Sequence, residues 1–230
     1  MLRKYFYLMK ISFLYKYMLI IKLTLKKYSP LRIFQILELK QLNIYGTCLD
    51  LGSKESISNV TNYLNYKEKI YYADKYANSL EDIKVDLENY PNNFEKNFDN
   101  VFLMNVLEHI KNYQNCLKNA HDLLNNSGNF FGSVPFLYRV HASPKDYFRY
   151  TNSLLEEKLN ELGFKNINVK VICGGIFLSV YAIIFDQTKK IPLINIPILI
   201  LCILLDKIAS IFSKDLENIY PLGYFFKATK

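Results

Sequence analysis

The stretch Thr47-Cys48-Leu49-Asp50-Leu51-Gly52-Ser53 decides the fold. Thr47 to Leu51 reads as a buried strand, and Gly52 ends it. A glycine there lets the backbone pass close to a ligand. In open α/β sheets, ligands bind outside the carboxyl ends of the strands, near the point where strand order reverses. No Gly-x-Gly-x-x-Gly follows, so this is not the dinucleotide fingerprint. Taken alone, Leu-Asp-Leu-Gly is a common tetrapeptide, and the weight falls on what surrounds it.

Downstream, strands and helices alternate. Ser56 to Tyr66 has helical spacing, Lys69 to Ala73 reads as a second strand, and Ile83 to Asp86 as a short third. Phe98 to Asn105 is a fourth strand. Tyr113 to Leu124 has helical spacing at Cys116, Leu117, Ala120, Leu123 and Leu124. It is expected to stop at Asn125-Asn126-Ser127-Gly128, with Gly128 left-handed. Asn129 to Val134 is the fifth strand. Thr151 is placed to cap a helix from Ser153 to Leu162, ended by Gly163. Ile167 to Ile172 is the sixth strand, and the segment from Tyr220 to Lys230 the last. Such alternation predicts a mostly parallel sheet covered on both faces.

Carboxylates recur at the predicted strand ends. The second strand closes on Tyr72-Ala73-Asp74, where a carboxylate can accept both hydroxyls of a ribose. The third closes on Val85-Asp86-Leu87, where another can accept from an adenine amino group. The fourth carries Phe98-Asp99-Asn100-Val101 and runs into Asn105-Val106-Leu107-Glu108-His109-Ile110. The fifth ends at Ser133-Val134-Pro135-Phe136.

In this order and spacing, over roughly residues 46–172, these motifs resemble the S-adenosylmethionine (SAM)-dependent methyltransferases of the type 11 group. The resemblance implies a Rossmann-like α/β fold: a seven-stranded sheet, mostly parallel, with the last strand antiparallel and helices on both faces. It implies SAM as methyl donor. By matching position, Asp50, Gly52 and Ser53 belong to the turn at the methionine part, Asp74 to the ribose, and Asp86 with Leu87 to the adenine. Asn105 and Val106 come to lie by the sulfonium, and His109 begins the next helix. One departure stands out: Lys54 replaces a second glycine of the family pattern. Its side chain is expected to point outward or to pair with the SAM carboxylate.

The acceptor side is expected on the loop after the fifth strand, Tyr138 to Thr151. Its Pro-Phe-x-Tyr, His and Asp-Tyr-x-Arg-Tyr-Thr pattern resembles a segment of relatives found with surface-polysaccharide enzymes. Tyr138, His141, Asp146 and Arg149 are the candidate acceptor contacts. Methyl transfer is an in-line displacement that depends largely on positioning. Where the acceptor must lose a proton, His141 is the candidate base by chemistry. Its alternative is a loop histidine that fixes backbone, and Asp146 with Arg149 can equally pair to order the loop. His121 has no partner in view and reads as a surface residue.

The whole net charge of +8 lies in residues 1–40, with nine Lys/Arg against Glu38 alone; the rest carries 20 of each sign. The chain therefore divides into a basic aromatic arm, 1–40, and one domain, 41–230. A basic arm on a neutral body suggests an anionic partner. Residues 1–27 interleave Phe, Tyr, Leu and Ile with Lys, which suits a membrane–water boundary. The lysines do not gather on one helical face, however, and the alternatives are a helical lid or a true start at Met9 or Met18. Lysines also break the apolar run before it becomes a signal peptide.

An apolar insertion of about 176–213 precedes the last strand. Its second run, Ile191 to Leu205, is about 15 residues long before Asp206-Lys207 and falls short of a span of about 20. It is read as a helical hairpin on one leaflet, with a cap helix on the core or on a dimer face as the alternative. The four cysteines, widely spaced, read as buried reduced thiols in a cytosolic protein. Metal-ligand spacing is missing, so no metal is expected, and nothing points to nucleic acid.

The resulting expectation is a methyltransferase acting on a small-molecule, glycan or lipid-linked acceptor at the cytoplasmic face of the inner membrane. The rivals are a silent membrane-bound Rossmann-like module, which Lys54 favours, and an NAD(P)-dependent oxidoreductase, which the missing fingerprint disfavours.

Overall fold

The computed structural model describes residues 2–54, 59–77, 83–89 and 96–230, with the side chains of the first helix described from Leu14 onward. Seven strands form one sheet: β1 (Cys48–Leu51), β2 (Ile70–Asp74), β3 (Ile83–Lys84), β4 (Phe98–Met104), β5 (Leu124–Pro135), β6 (Lys165–Val171) and β7 (Gly223–Thr229). Their order is β3-β2-β1-β4-β5-β7-β6. Strands β1 to β5 pair in parallel, and β7 runs antiparallel between β5 and β6. The expected Rossmann-like methyltransferase sheet is therefore borne out.

Side chains alternate across the strands, so neighbours along one strand enter different cores. Cys48, Phe102, Phe131 and Phe225 join one core. Leu49, Val101, Phe130 and Phe226 join the other. The second core packs against α3 (Tyr113–Asp122) and α4 (Asn152–Glu161). Thr151 caps α4 as expected, its hydroxyl accepting from Leu154 N at 3.3 Å. Gly163 (φ +87°) and Phe164 close its far end, donating to the carbonyls of Asn160 and Leu159, the Schellman pattern.

The first core packs against α1 (Leu2–Leu25), α2 (Pro30–Leu39), α5 (Ile176–Thr188) and α6 (Pro192–Phe212). Ser29 caps α2 and Pro30 opens it, which is how Ser29-Pro30 separates two helices. Leu19, Ile20 and Leu23 of α1 lie in one cluster with Leu199, Cys202 and Ile203 of α6. The basic arm and the apolar insertion thus build one helical layer. All four cysteines are buried and unpaired.

Three local expectations change. Residues 55–58 of the helix expected over Ser56 to Tyr66 lie outside the described residues, and the next element is one 3-10 turn, Val60–Tyr63. The hydroxyl of buried Thr61 there donates to Asp50 Oδ2 at 2.6 Å, which ties the turn to β1. Second, Ser127 (φ +63°), not Gly128, takes the left-handed position after α3. Gly128 serves close approach instead: a Cβ there would lie 2.9 Å from Asn125 O. Third, α6 does not stop at Asp206-Lys207 but continues to Phe212. Asp206 turns inward and accepts from Phe177 N at 3.0 Å and Leu178 N at 2.8 Å, capping α5 from outside it. The segment Leu193–Phe212 is consequently long and apolar enough to cross a membrane by length and composition, with a mean hydropathy of 2.1.

Candidate active site

Strand order reverses at β1, which pairs with β2 on one side and β4 on the other. A cleft of about 1130 Å³ opens over the carboxyl ends of these strands. Gly52 and Ser53 from the β1 turn line it, with Asp74, Asp86 and Leu87 from the tips of β2 and β3. Asn105 and Val106 after β4, Glu108, His109, Tyr138 and His141 also line it.

Gly52 has φ +75°, and a Cβ there would lie 2.6 Å from both methyl carbons of Val106. The turn after β1 thus packs directly on the end of β4, a fit that only glycine allows. Asp50 stands behind this turn, not on the cleft wall. It is buried; Oδ2 accepts from Thr61, while Oδ1 has no hydrogen-bond partner among the described residues. Burial pushes its pKa to about 7, against the lowering effect of the Thr61 and Ser53 hydroxyls.

Asn105 is left-handed (φ +56°) and exchanges amide hydrogen bonds with Gln35 of α2, at 2.6 and 3.0 Å. Gln35 also donates to Ser133 Oγ at 3.0 Å. The sequence reading missed Gln35. Its signal was a lone amide among the apolar residues of α2, on a face that turns out to be buried.

Lys54 lines the cleft and pairs with Asp74, Nζ to Oδ1 at 3.8 Å. Lys75 pairs with Asp86 at 2.8 Å. The two carboxylates assigned to ribose and adenine thus hold lysines here. Both pairs are partly exposed, and exposed pairs of this kind exchange readily for other partners.

The loop expected to meet the acceptor is held by contacts of its own backbone and side chains. Tyr147 N donates to the Glu108 carbonyl at 2.8 Å. Asp146 and Arg149 form a two-pronged pair at 2.5 and 2.8 Å, and Asp146 also accepts from His141 N at 2.9 Å. Arg149 holds the Asp146 carboxyl well below the usual carboxylate range. These two residues do not line the cleft; their contacts order the loop and do not reach toward an acceptor. Arg139 pairs with Asp186 of α5, which ties the loop to the insertion.

His109 does not begin a helix. It ends a 3-10 turn, Leu107–His109, and α3 starts later, at Tyr113. Its ring stands edge-on to His141 at 4.8 Å. The Nε2 of His141 faces Glu108 Oε1 at 3.7 Å, an ion-pair distance beyond hydrogen-bond range. The Glu108 carboxylate raises the His141 pKa, against desolvation. Glu108 was visible as part of the Val-Leu-Glu-His motif, but its full burial was not.

The residues present fit SAM. A positive-φ glycine turn and two strand-end carboxylates converge on one cleft at the switch point, with the buried Asp50 carboxylate behind the turn. Residues 45–132 match the family model described as a methyltransferase domain.

The fold is that of the class I methyltransferases.

Solved structures agree on the domain's fold. A phosphoethanolamine N-methyltransferase 2 of Haemonchus contortus in complex with SAM is 19% identical (TM-score 0.52), over 85% of this chain and 52% of that one. The 1,6-didemethyltoxoflavin-N1-methyltransferase of Burkholderia thailandensis is 14% identical (TM-score 0.52), over 99% and 89%. The cyclase SpnF is 12% identical (TM-score 0.54), over 87% and 80%. The chain spans about half the length of the Haemonchus contortus enzyme. Among proteins of curated function, none matches it in sequence. Class I methyltransferase domains use SAM as methyl donor.

Proposed function

We propose that the protein transfers a methyl group from SAM to a small-molecule, glycan or lipid-linked acceptor at the cytoplasmic face of a membrane. One observation carries the transfer: a single cleft at the β1/β4 switch point joins the Gly52 turn to the loop bearing Tyr138 and His141. The turn, with Asp50 behind it, takes the methionine part of SAM. Asp74 and Asp86 take ribose and adenine once Lys54 and Lys75 release them, and Asn105 and Val106 border the methyl. The acceptor lies against Tyr138 and His141. The chain's part in catalysis is then alignment, with water kept out by the loop.

The acceptor class rests on chemistry, since one fold hosts many reactions, a cyclase among the similar structures. Two of those structures are enzymes named for small-molecule substrates. The glycan reading rests on the loop pattern from Pro135 to Thr151.

The membrane reading is supported by the helical layer. Val180 and Ile183 of α5 and Leu201, Leu204, Ile208 and Ile211 of α6 are apolar and solvent-facing. Met18 and Leu25 of α1 add to them, beside Lys22 and Lys26. Apolar surface of this extent, with basic residues at its margin, fits a helical layer lying in one leaflet.

The lysine-held Asp74 and Asp86 favour a second reading, a silent module that keeps the sheet and binds no cofactor. Calorimetric titration of the full chain with SAM and with NADH decides between them. Binding of SAM alone is expected, and a folded sample that ignores SAM rejects the transferase. Labelled methyl from SAM, incubated with lysate or lipid extract, then identifies the acceptor.

A further inference from the structure

Glu108, His109 and His141 converge at the acceptor end of the cleft. The Glu108 side chain is fully buried, and neither carboxylate oxygen has a hydrogen-bond partner among the described residues. Burying a carboxylate in that state is costly unless a cation compensates it. Its Oε1 lies 3.7 Å from His109 Nε2 and 3.7 Å from His141 Nε2.

The other nitrogen of each ring is committed. His109 Nδ1–H donates to the Lys145 carbonyl at 2.7 Å, and His141 Nδ1–H to the Arg139 carbonyl at 3.2 Å. Carbonyls only accept, so the proton of each neutral ring sits on Nδ1 and Nε2 presents a lone pair. Two imidazole lone pairs and a carboxylate then face one another. A proton on His141 relieves one of the two contacts and leaves His109 opposed; a metal ion satisfies all three donors at once. An Nδ1–H held by a backbone carbonyl is also how metal-bound histidines are oriented.

We propose that Glu108, His109 and His141 bind a divalent transition-metal ion whose open position takes the acceptor's oxygen. Two imidazoles and a carboxylate suit zinc and its neighbours in the first transition row. Three protein ligands with one open position are the pattern of catalytic, not structural, zinc. The ligand atoms lie within 4.8 Å of one another. A tetrahedral ion holds such atoms about 3.3 Å apart, and both Glu108–histidine contacts, at 3.7 Å, lie within a few tenths of an ångström of that. The four cysteines are buried elsewhere in the two cores and offer no competing donors at the cleft.

The second half of the proposal rests on the methyltransferase reading. There the ion lowers the pKa of the acceptor hydroxyl, whose proton leaves to water. The oxygen lone pair forms the new O–C bond to the SAM methyl. The S–C bond breaks as its electron pair passes to sulfur, which leaves as the neutral thioether. His141 then serves as a ligand, which replaces its expected role as base.

The test uses the full chain, stripped with chelator and titrated with Co²⁺ alone, with SAM binding measured separately on the same sample. The expected result is one Co²⁺ per chain, visible absorption of nitrogen and oxygen ligation, and no thiolate charge-transfer band. Glu108→Gln and His141→Ala should each weaken Co²⁺ about 100-fold or more, beyond the 10–100-fold of losing an outer-shell partner. Glu108→Gln also removes the uncompensated charge, so the variant stays folded without metal. Absence of Co²⁺ binding by the wild type rejects the site, whether or not SAM binds. So does Co²⁺ binding that both variants retain, or a thiolate band. Co²⁺ bound as expected in a chain that ignores SAM supports the ion site and overturns the transferase reading alone.

Discussion

Gln35 and Asn105, seventy residues apart in sequence, exchange two amide hydrogen bonds at 2.6 and 3.0 Å. The pair holds Asn105 in a left-handed conformation at the end of β4, where the cofactor's methyl is expected. Left-handed backbone costs a residue other than glycine about 1–3 kcal/mol unless its surroundings enforce it. Gln35→Ala leaves the Asn105 amide and the Ser133 hydroxyl short of a partner in the core. Urea denaturation should show a loss of about 1–3 kcal/mol, and calorimetry a weaker SAM affinity. Unchanged SAM binding by a destabilised variant would confine the pair to a structural role.

Gly52→Ala adds a Cβ 2.6 Å from two Val106 methyl carbons, on backbone at φ +75°. The turn must shift away from β4 or strain in place. SAM binding should fall below detection by calorimetry, with a stability loss of about 1–3 kcal/mol. Val106→Ala in the same chain removes the contact but not the backbone strain, so rescue should be partial; full rescue would show that the contact alone matters.

Asp50 gives a pH prediction for the cofactor-free protein. Burial raises its folded pKa to about 7, above the unfolded value near 3.8. The folded state therefore binds the proton more tightly. Relative to the protonated reference, this contribution is fully present below pH 3.8 and is lost as pH rises through 7. At about 1.4 kcal/mol per pH unit over roughly three units, the change is on the order of 4 kcal/mol. Asp50→Asn should flatten that part of the stability–pH curve in urea titrations run between pH 4 and 8. An unaltered slope in the variant would assign it to other groups.

Asp206 lies on α6 and caps α5 through the amides of Phe177 and Leu178. Asp206→Ala should lower stability by about 1–2 kcal/mol in thermal or urea unfolding. A neutral result would mean that water replaces the carboxylate without cost. Gly175 is confined to the same spot, since a Cβ there would meet the Asp206 carboxylate at 2.4 Å.

The solvent-facing side of α5 and α6 makes the membrane reading measurable. Full-length protein should float with anionic liposomes, and the triple variant Ile183→Ser, Ile208→Ser, Ile211→Ser should float several-fold less at equal stability. Full-length protein that stays in the soluble fraction, as the variant does, would reject membrane contact and leave the apolar face to a protein partner.

The sheet was legible because its signals are local. Thr47 to Leu51, Phe98 to Asn105 and Asn129 to Val134 are apolar runs bounded by turn residues, and strands β1, β4 and β5 fall on them. Gly163 marks a helix end whatever packs around it. The spacing of Asp74, Asp86 and Asn105 along the chain likewise mirrors the strand tips, so the candidate cofactor wall could be read off in order. Gly128 misled because two jobs call for glycine, left-handed backbone and close approach, and sequence does not separate them. Asp206 misled for a similar reason: a charge in an apolar run reads as an end until a helix terminus is found for it to cap.

By itself the sequence determined the α/β alternation, the Gly52 turn and the strand-tip residues along the cleft, since periodicity, turn chemistry and strand-end carboxylates act within a few residues of one another. Tertiary structure decided what distant segments do together. It set Gln35 against Asn105, gave Asp50 its burial, sent Lys54 to Asp74 and merged the arm with the insertion. Above all it brought Glu108, His109 and His141, from two separate loops, around one fully buried carboxylate. Burial and through-space charge depend on the packed chain, and no spacing along the sequence encodes them.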